Sequence, residues 1–243
     1  MAKLSQWDLL SGCDTELTLC TVHHPTLEEI RAVGYPKYVQ YLNLLTLDID
    51  DINEEIRNVL PEELTIFHLL AYNILGDEMR GLLQQALSFF ISGKLYFSEK
   101  YGGFLIDCPG RDCEVIDADS YPEITNWIRQ MNWIEIDETV VTNKKHSSKV
   151  MEIMAKLKKG RKKMQQNKKN DVNLAIPNMI GAVVAHHGGY TYQNIWSLTV
   201  YQLYDLFFRL NTKFQIGIIG QKWAAWGTDD FDFSAWYKSP STK

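Results

Sequence analysis

The stretch MRGLLQQALSFFISGKLYFSEKYGGFLID, residues 79–107, changes its periodicity midway. In its first half the apolar residues recur at helical spacing up to Phe90. Its second half has two short runs of β-forming residues, 94–98 and 104–107, separated by a turn at Gly102 and Gly103, which is the pattern of a β-hairpin. The stretch therefore predicts a buried helix followed by a small β insert.

Helix-start signals precede this stretch. Thr26-Leu-Glu-Glu29 has the form of a capping box, in which the Thr hydroxyl and the Glu carboxylate satisfy backbone N–H groups. Gly34-Tyr35-Pro36 should interrupt the helix, because the residue before a proline is pushed out of the α region. Apolar stripes then predict helices over 38–45, over 52–59 after a cap at Asp48 or Asp50, and over 65–74.

The same signals resume after the hairpin. Residues 113–116 predict a third short strand, and Ser120-Tyr-Pro-Glu123 has the form of a second capping box. The helix that follows has a buried stripe formed by Ile124, Trp127, Ile128 and Met131.

The fold class expected from these patterns is mainly α, a helical bundle with a small β-hairpin insert. We expect a helical domain over 1–145 with the insert near 94–116, a basic helical linker over 146–172, and a short C-terminal helical part over 173–243 that ends in an aromatic and acidic tail. The linker is assigned because its apolar residues stop at Leu157, so that its second half can bury little.

Composition narrows the class of protein. The 243 residues are 45% hydrophobic with a net charge of −5, which indicates a globular core and speaks against a nucleic-acid binder as a whole. The first residues lack the pattern of a signal peptide, and no apolar run reaches the ~20 residues needed to cross a bilayer. We expect a cytosolic protein without a membrane partner, with structural thiols at Cys13, Cys20, Cys108 and Cys113.

The C-terminal part contains the candidate binding residues. Thr199-Val-Tyr-Gln202 is a third capping-box candidate, and Asp205 and Arg209 are four residues apart and able to pair. The apolar sector of this helix is wider than one small core needs, so it is either buried within its own domain or partly a docking face. The residues predicted to bind a partner are Trp196, Tyr201, Tyr204, Phe208, Trp223, Trp226 and Trp236.

The tail after residue 222 is rich in aromatic residues and includes the acidic run Asp229-Asp230-Phe231-Asp232. A chain end of this composition is seldom left in solvent. We expect it either to fold back over the C-terminal helices or to dock onto another subunit.

The basic segment of this linker, residues 156–169, has three interpretations: a solvated linker face, a nucleic-acid contact or a surface for an acidic protein. It has no aromatic residue for base stacking, so nucleic acid is not the expected partner. Its candidate residues are Lys158, Lys159, Arg161, Lys162 and Lys163.

Signs of catalysis or metal binding are weak. The pairs His23-His24 and His186-His187 place neighbouring side chains in different directions, and the cysteine spacings do not match a zinc site. No nucleophile elbow, phosphate-binding loop or dinucleotide fingerprint is found. We expect no enzyme, no metal and no cofactor; an enzyme of unfamiliar type stays an alternative.

Three segments resemble proteins encoded in the tail-gene regions of phages and prophages of Gram-positive hosts. They are residues 25–45 with their Pro-Thr-Leu-Glu-Glu-Ile opening, the joint at 156–162, and residues 195–210 with their Ile-Trp-Ser-Leu-Thr-Val-Tyr-Gln-Leu-Tyr-Asp motif. The resemblance consists of packing and helix-start residues and brings no catalytic residue with it.

The resemblance implies a tail-assembly chaperone or a tail or baseplate component that acts through protein contacts. Its partners would be other tail proteins, such as the tape-measure protein or a baseplate subunit, and a homo-oligomer is an open alternative. The protein would work in the cytoplasm of the bacterial host during assembly or remain in the virion tail. A nucleic-acid-binding accessory protein is the runner-up.

Overall fold

The computed structural model describes residues 4–49, 52, 61, 64–107, 114–134, 175–227 and 234. By its contacts the chain divides into an N-terminal unit, Met1–Glu135 with Trp196–Gln202, and a C-terminal unit, Ile136–Ile195 with Leu203–Lys243. The N-terminal unit thus includes a short segment that the sequence analysis assigned to the C-terminal part. The predicted helix over 52–59, apart from residue 52, and the predicted linker over 146–172 lie outside the described residues.

Helices dominate the described residues, as expected. The N-terminal unit contains α1 Gln6–Ser11, β1 Thr15–Glu16, β2 Thr21–Val22, α2 Leu27–Val33, α3 Tyr35–Leu45, α4 Ile66–Ala71, α5 Met79–Phe90, β3 Lys94–Ser98, β4 Gly103–Asp107, β5 Glu114–Ile116 and α6 Tyr121–Met131. The C-terminal unit contains α7 Ile176–His186. Helix α8, Val200–Trp226, begins in the N-terminal unit and continues in the C-terminal unit.

The start of α2 is the predicted capping box. The Glu29 N–H donates to Thr26 Oγ1 at 3.3 Å, and the Thr26 N–H donates to Glu29 Oε2 at 2.8 Å. Gly34 then adopts φ +91°, which separates α2 from α3 within the predicted break. The expected reason was wrong, because Tyr35, the residue before the proline, is the first helical residue of α3. The two helix boundaries therefore follow from local sequence.

The β insert is a three-stranded antiparallel sheet of order β3-β4-β5. The hairpin register pairs Phe97 with Phe104 and Ser98 with Gly103, so Gly103 is the first residue of β4 and not part of the turn. A Cβ at this position would collide with the backbone carbonyl of Ile116 in β5. This glycine is required by close strand packing, which the sequence analysis attributed to a turn.

Helix α4 is shorter than the predicted 65–74. It ends at Ala71, and Asn73 takes a left-handed conformation with φ +58°. The Asn73 side-chain oxygen accepts the N–H of Arg80 at 2.7 Å and so connects this turn to the start of α5. The prediction of a longer helix was wrong because the apolar pattern continues through a turn.

The predicted capping box at Ser120 was also wrong, although α6 starts where expected. The Ser120 hydroxyl donates to Asp117 Oδ1 at 2.8 Å instead of accepting from the helix. Burial acts to raise the pKa of Asp117, but hydrogen bonds from Ser120 and Asp119 outweigh it and lower that pKa overall. An acidic turn before the helix replaces the cap.

Aromatic side chains fill the core of the N-terminal unit. The Phe67 ring of α4 lies 6.2 Å from that of Phe104 in β4 and 5.3 Å from that of Tyr121 in α6, centroid to centroid. Tyr38 of α3 contacts Phe90 of α5 at 6.4 Å. The predicted inward stripes of α5 and α6 contribute to the core, since Leu83, Ala86, Leu87, Phe90, Ile124, Trp127, Ile128 and Met131 are buried.

No helix among the described residues is both long enough and apolar enough to cross a membrane.

Candidate protein-interaction face

The first turn of α8 is fixed by its own cap and by α1. The Gln202 N–H donates to Thr199 Oγ1 at 3.3 Å, and the Thr199 N–H donates to Gln202 Oε1 at 2.9 Å, which is the predicted capping box. Gln202 Nε2 also donates to the Leu10 carbonyl at 2.8 Å. The start of the helix is therefore anchored within the N-terminal unit.

Two of the predicted partner-binding residues pack inside this unit. Tyr201 is 3% exposed and its ring lies 4.7 Å from that of Trp133. The guanidinium of Arg31 lies 4.9 Å from the ring centroid of half-buried Trp196. Both side chains are held by contacts within the described structure, and their role toward a partner stays a prediction.

Within the C-terminal unit, α8 has one internal ion pair. Arg209 Nε donates to Asp205 Oδ2 at 2.6 Å, with the side chain of Asp205 6% exposed and that of Arg209 39% exposed. The predicted pairing of these residues is thereby confirmed. Nearby, Phe208 contacts Tyr204 at 6.1 Å and Phe207 at 5.7 Å, and all three rings are partly exposed.

Beyond Leu210 the helix becomes exposed while its sequence stays apolar. Phe214 is 49% exposed, Ile218 68%, Ile219 50%, Trp223 45% and Trp226 70%. Phe214 and Ile218 are four residues apart, Ile219 and Trp223 are four apart, and Trp226 follows three residues later. With 3.6 residues per turn, the five side chains lie over about half of the helix circumference. We call these five residues the distal apolar face.

This face exposes a large apolar area. An aromatic side chain can bury ~150–250 Å², so five large apolar side chains that are about half exposed together expose on the order of 500 Å². The largest apolar patch on a monomeric protein is typically ~300–600 Å² and is often functional, and this face has that size. A protein that covers this face would therefore remove a large apolar area from water.

Only part of this face was predicted from the sequence. Trp223 and Trp226 were predicted partner-binding residues, but they were assigned to a tail, whereas they lie in the last turns of α8. Phe214, Ile218 and Ile219 were missed. The available signals were the four-residue spacings between Phe214 and Ile218 and between Ile219 and Trp223, together with the lack of proline between 178 and 239.

Other predicted candidates lie outside the described residues. They are Trp236 and the basic residues Lys158, Lys159, Arg161, Lys162 and Lys163.

The two histidine pairs are in different surroundings. His23 contacts Asp14 through Nδ1 at 2.7 Å and Glu29 through Nε2 at 3.1 Å. His24 is buried, with Nε2 at 3.0 Å from Thr15 Oγ1, and burial lowers its pKa. Among the described residues, no group of three or more His, Cys, Asp or Glu side chains could hold a metal ion.

The second pair packs against aromatic rings. His186 lies 5.2 Å from the Phe214 ring and His187 lies 5.0 Å from Tyr190. These contacts are perpendicular or tilted packing between rings, and neither brings a carboxylate to the imidazole. Phe214 is thus supported from one side by α7 while half of it stays exposed.

The N-terminal unit has an open cleft between α3 and α5. Its volume is about 460 Å³, and it is lined by Lys37, Tyr41, Gly81, Gln84, Gln85, Ser88 and Phe89. Lys37 is the one charged side chain of this lining, and its ammonium lies 5.7 Å from the Tyr41 ring centroid. The lining brings together no pair of an acid and a base of the kind that general acid–base catalysis uses.

Comparison with known proteins finds a family likeness in the C-terminal part of the chain. No curated protein and no solved structure matches the chain. A family model described as the YomV second domain matches residues 163–240, a stretch shorter than half of the chain. This stretch contains α7 and α8 and is consistent with a phage-related protein, so the part of the chain that displays the distal apolar face is similar to the YomV second domain.

Proposed function

We propose that this chain is a phage tail-assembly or tail structural protein that acts by binding another tail protein on the distal apolar face of α8. The observation that carries the proposal is the exposure of five large apolar side chains on one side of a helix. The family likeness of residues 163–240 and the resemblance to phage tail-region proteins supply the biological setting.

The chemistry of the face favours a protein as the ligand. Trp and other large aromatic residues are enriched among the few residues that dominate binding energy in interfaces, and this face has Phe214, Trp223 and Trp226. A helix in an apolar groove is recognised by residues at spacings of three, four and seven, which Ile219, Trp223 and Trp226 provide. The partner should therefore present a groove or a second helix with apolar side chains.

The role that we propose is not catalytic. The protein would hold a tape-measure or baseplate component in the host cytoplasm during assembly, or stay with it in the virion tail. The basic segment would remain a solvated link, with a nucleic-acid contact as the alternative outcome.

The test combines particle composition with a matched pair of variants. Mass spectrometry of purified virions and of lysate from the producing phage or lysogen would identify the tail components with which the chain occurs. Binding of those purified components would then be compared for wild type, Ile218→Ser and Ile74→Ser. Ile218 and Ile74 are 68% and 47% exposed, but Ile74 lies in the N-terminal unit, far from α8 in sequence.

We expect Ile218→Ser to weaken binding at least tenfold and Ile74→Ser to leave it unchanged. Substitutions at exposed positions usually alter stability by less than ~0.5 kcal/mol, so both variants should fold. Equal binding by all three proteins, or the absence of the chain from particles and from their precursors, would reject the proposal.

A further inference from the structure

The charged residues in the distal half of α8, Leu206–Trp226, are all basic. Between Leu206 and Trp226 the charged residues are Arg209, Lys213 and Lys222, with no Asp or Glu. Arg209 pairs with Asp205 inside the helix, and the sequence of the exposed half beyond it contributes the positive charges of Lys213 and Lys222. By the four-residue spacing from Ile218, Lys222 lies beside the distal apolar face. A ligand for this face should combine apolar and acidic side chains.

The chain itself contains a segment of that composition immediately after α8. The first ten residues of the segment 228–243 include Asp229, Asp230 and Asp232 and no Lys or Arg, interleaved with Phe231, Phe233, Trp236 and Tyr237, and Lys238 and Lys243 follow them. Residues 228–237 and the distal half of α8 are therefore opposite in charge and alike in their apolar character.

The end of α8 permits the chain to reverse direction. Gly227 has φ +58° and its N–H donates to the Trp223 carbonyl at 2.7 Å, which is a left-handed helix cap. An extended chain spans up to about 3.3–3.6 Å per residue, so residues 228–243 can reach about 50 Å. Residues 211–226 of a helix that rises 1.5 Å per residue cover about 24 Å, so the segment is long enough to follow the whole face.

The family likeness includes both parts. The match to the YomV second domain runs from 163 to 240 and so contains the distal apolar face together with most of the acidic and aromatic segment. The two stretches fall in one matched domain.

We infer that residues 228–243 bind in cis to the distal apolar face, with their acidic residues toward Lys222, and that an external partner must displace them. The second clause rests on the proposed function, whereas the cis binding does not. Attachment one residue beyond the helix gives the segment an effective concentration of roughly millimolar, so even weak contacts would keep the face occupied. The apparent affinity for a partner would then be reduced by the fraction of molecules whose face is covered.

A photo-cross-linking experiment on the full chain tests the cis binding. Ile218 is replaced by p-benzoylphenylalanine, and in a control protein the same residue replaces Lys213, which is exposed on a different side of the helix. After irradiation, the adducts are separated by size and mapped by mass spectrometry. We expect monomeric adducts between position 218 and residues 228–243, at a yield at least fivefold above that from position 213.

Three results would overturn the inference: adducts to residues 228–243 found only in cross-linked dimers, which would identify a second copy as the ligand; adducts to other parts of the chain; or no preference over the control. Both proteins carry a substitution at an exposed position, so a loss of folding is not expected to obscure the result.

A charge variant tests the acidic contribution. Asp229→Asn/Asp230→Asn/Asp232→Asn is compared with Asp77→Asn/Glu78→Gln/Glu99→Gln, which removes three exposed acidic residues from the N-terminal unit. The first variant should lower the cis adduct yield and raise the affinity for a tail component at least threefold, whereas the control should do neither. An unchanged adduct yield in the first variant would overturn the inference. Failure of Ile218→Ser to weaken partner binding would instead reject the proposed function and leave a cis adduct standing.

Discussion

Phe67 and Phe214 have the same side chain at opposite extremes of exposure. Phe67 is 0% exposed and is enclosed by rings from β4 and α6, whereas Phe214 is 49% exposed and has one described ring neighbour, His186. The N-terminal unit uses its aromatic residues to fill a core, while the distal half of α8 displays them. Apolar composition alone does not distinguish these uses; the number of elements that surround the side chain does.

The largest expected effect is the difference in stability loss between alanine variants of Phe67 and Phe214. Phe67→Ala should lower the free energy of unfolding by about 3–5 kcal/mol, because it leaves a cavity in a packed core. Phe214→Ala should lower it by no more than about 1 kcal/mol, because half of that ring is already in water. Urea denaturation followed by circular dichroism measures both, and losses of equal size would break the comparison.

An intermediate effect is expected at Asp205, in α8 before its exposed half. Asp205→Asn removes the charge that pairs with Arg209 and should cost about 1 kcal/mol, since Arg209 is partly solvated. The double-mutant cycle with Arg209→Gln measures the interaction. If the two single losses simply add, the ion pair makes no contribution of its own.

A smaller effect on stability is expected at His24, a buried polar side chain of the N-terminal unit. Burial lowers the pKa of His24 from its ordinary value of 6.5, so the unfolded chain binds this proton more tightly than the folded chain. Stability should therefore fall as the pH decreases through 6.5 toward the lower folded-state pKa, and His24→Gln should reduce that fall. The control is His186→Gln, at an exposed histidine of the C-terminal unit. Urea midpoints at pH 7.5 and 5.5 provide the measurement, and an equal pH dependence in wild type and His24→Gln would contradict it.

The parts of the fold that were predictable are those set by local chemistry. The capping boxes at Thr26 and Thr199, the inward stripes of α5 and α6, and the hairpin each follow from residues close together in sequence. Ser120 was misassigned because its hydroxyl has a competing acceptor in Asp117, three residues earlier. Hydrogen-bond competition of this kind is decided by backbone geometry, which a motif does not specify.

The candidate site was less predictable than the fold. A helical apolar stripe indicates that one side of a helix avoids water but not what covers it. Tyr201 and Trp226 belong to the same helix and were predicted for the same role, yet their exposures are 3% and 70%. Only the positions of Trp133 and the other neighbours distinguish them, and those depend on contacts between residues far apart in sequence.

The insertion of Trp196–Gln202 into the N-terminal unit has a consequence for the order of folding. Leu27 donates its N–H to the Leu198 carbonyl, and Thr26 forms an isolated bridge with Thr199, so α2 acquires these neighbours only after the intervening chain exists. At about 5–20 residues per second, synthesis of Ile136–Ile195 takes on the order of 3–12 s. During that interval a nascent chain has an N-terminal unit that lacks its last segment, so its completion is timed by the ribosome and not by the speed at which its own helices pack.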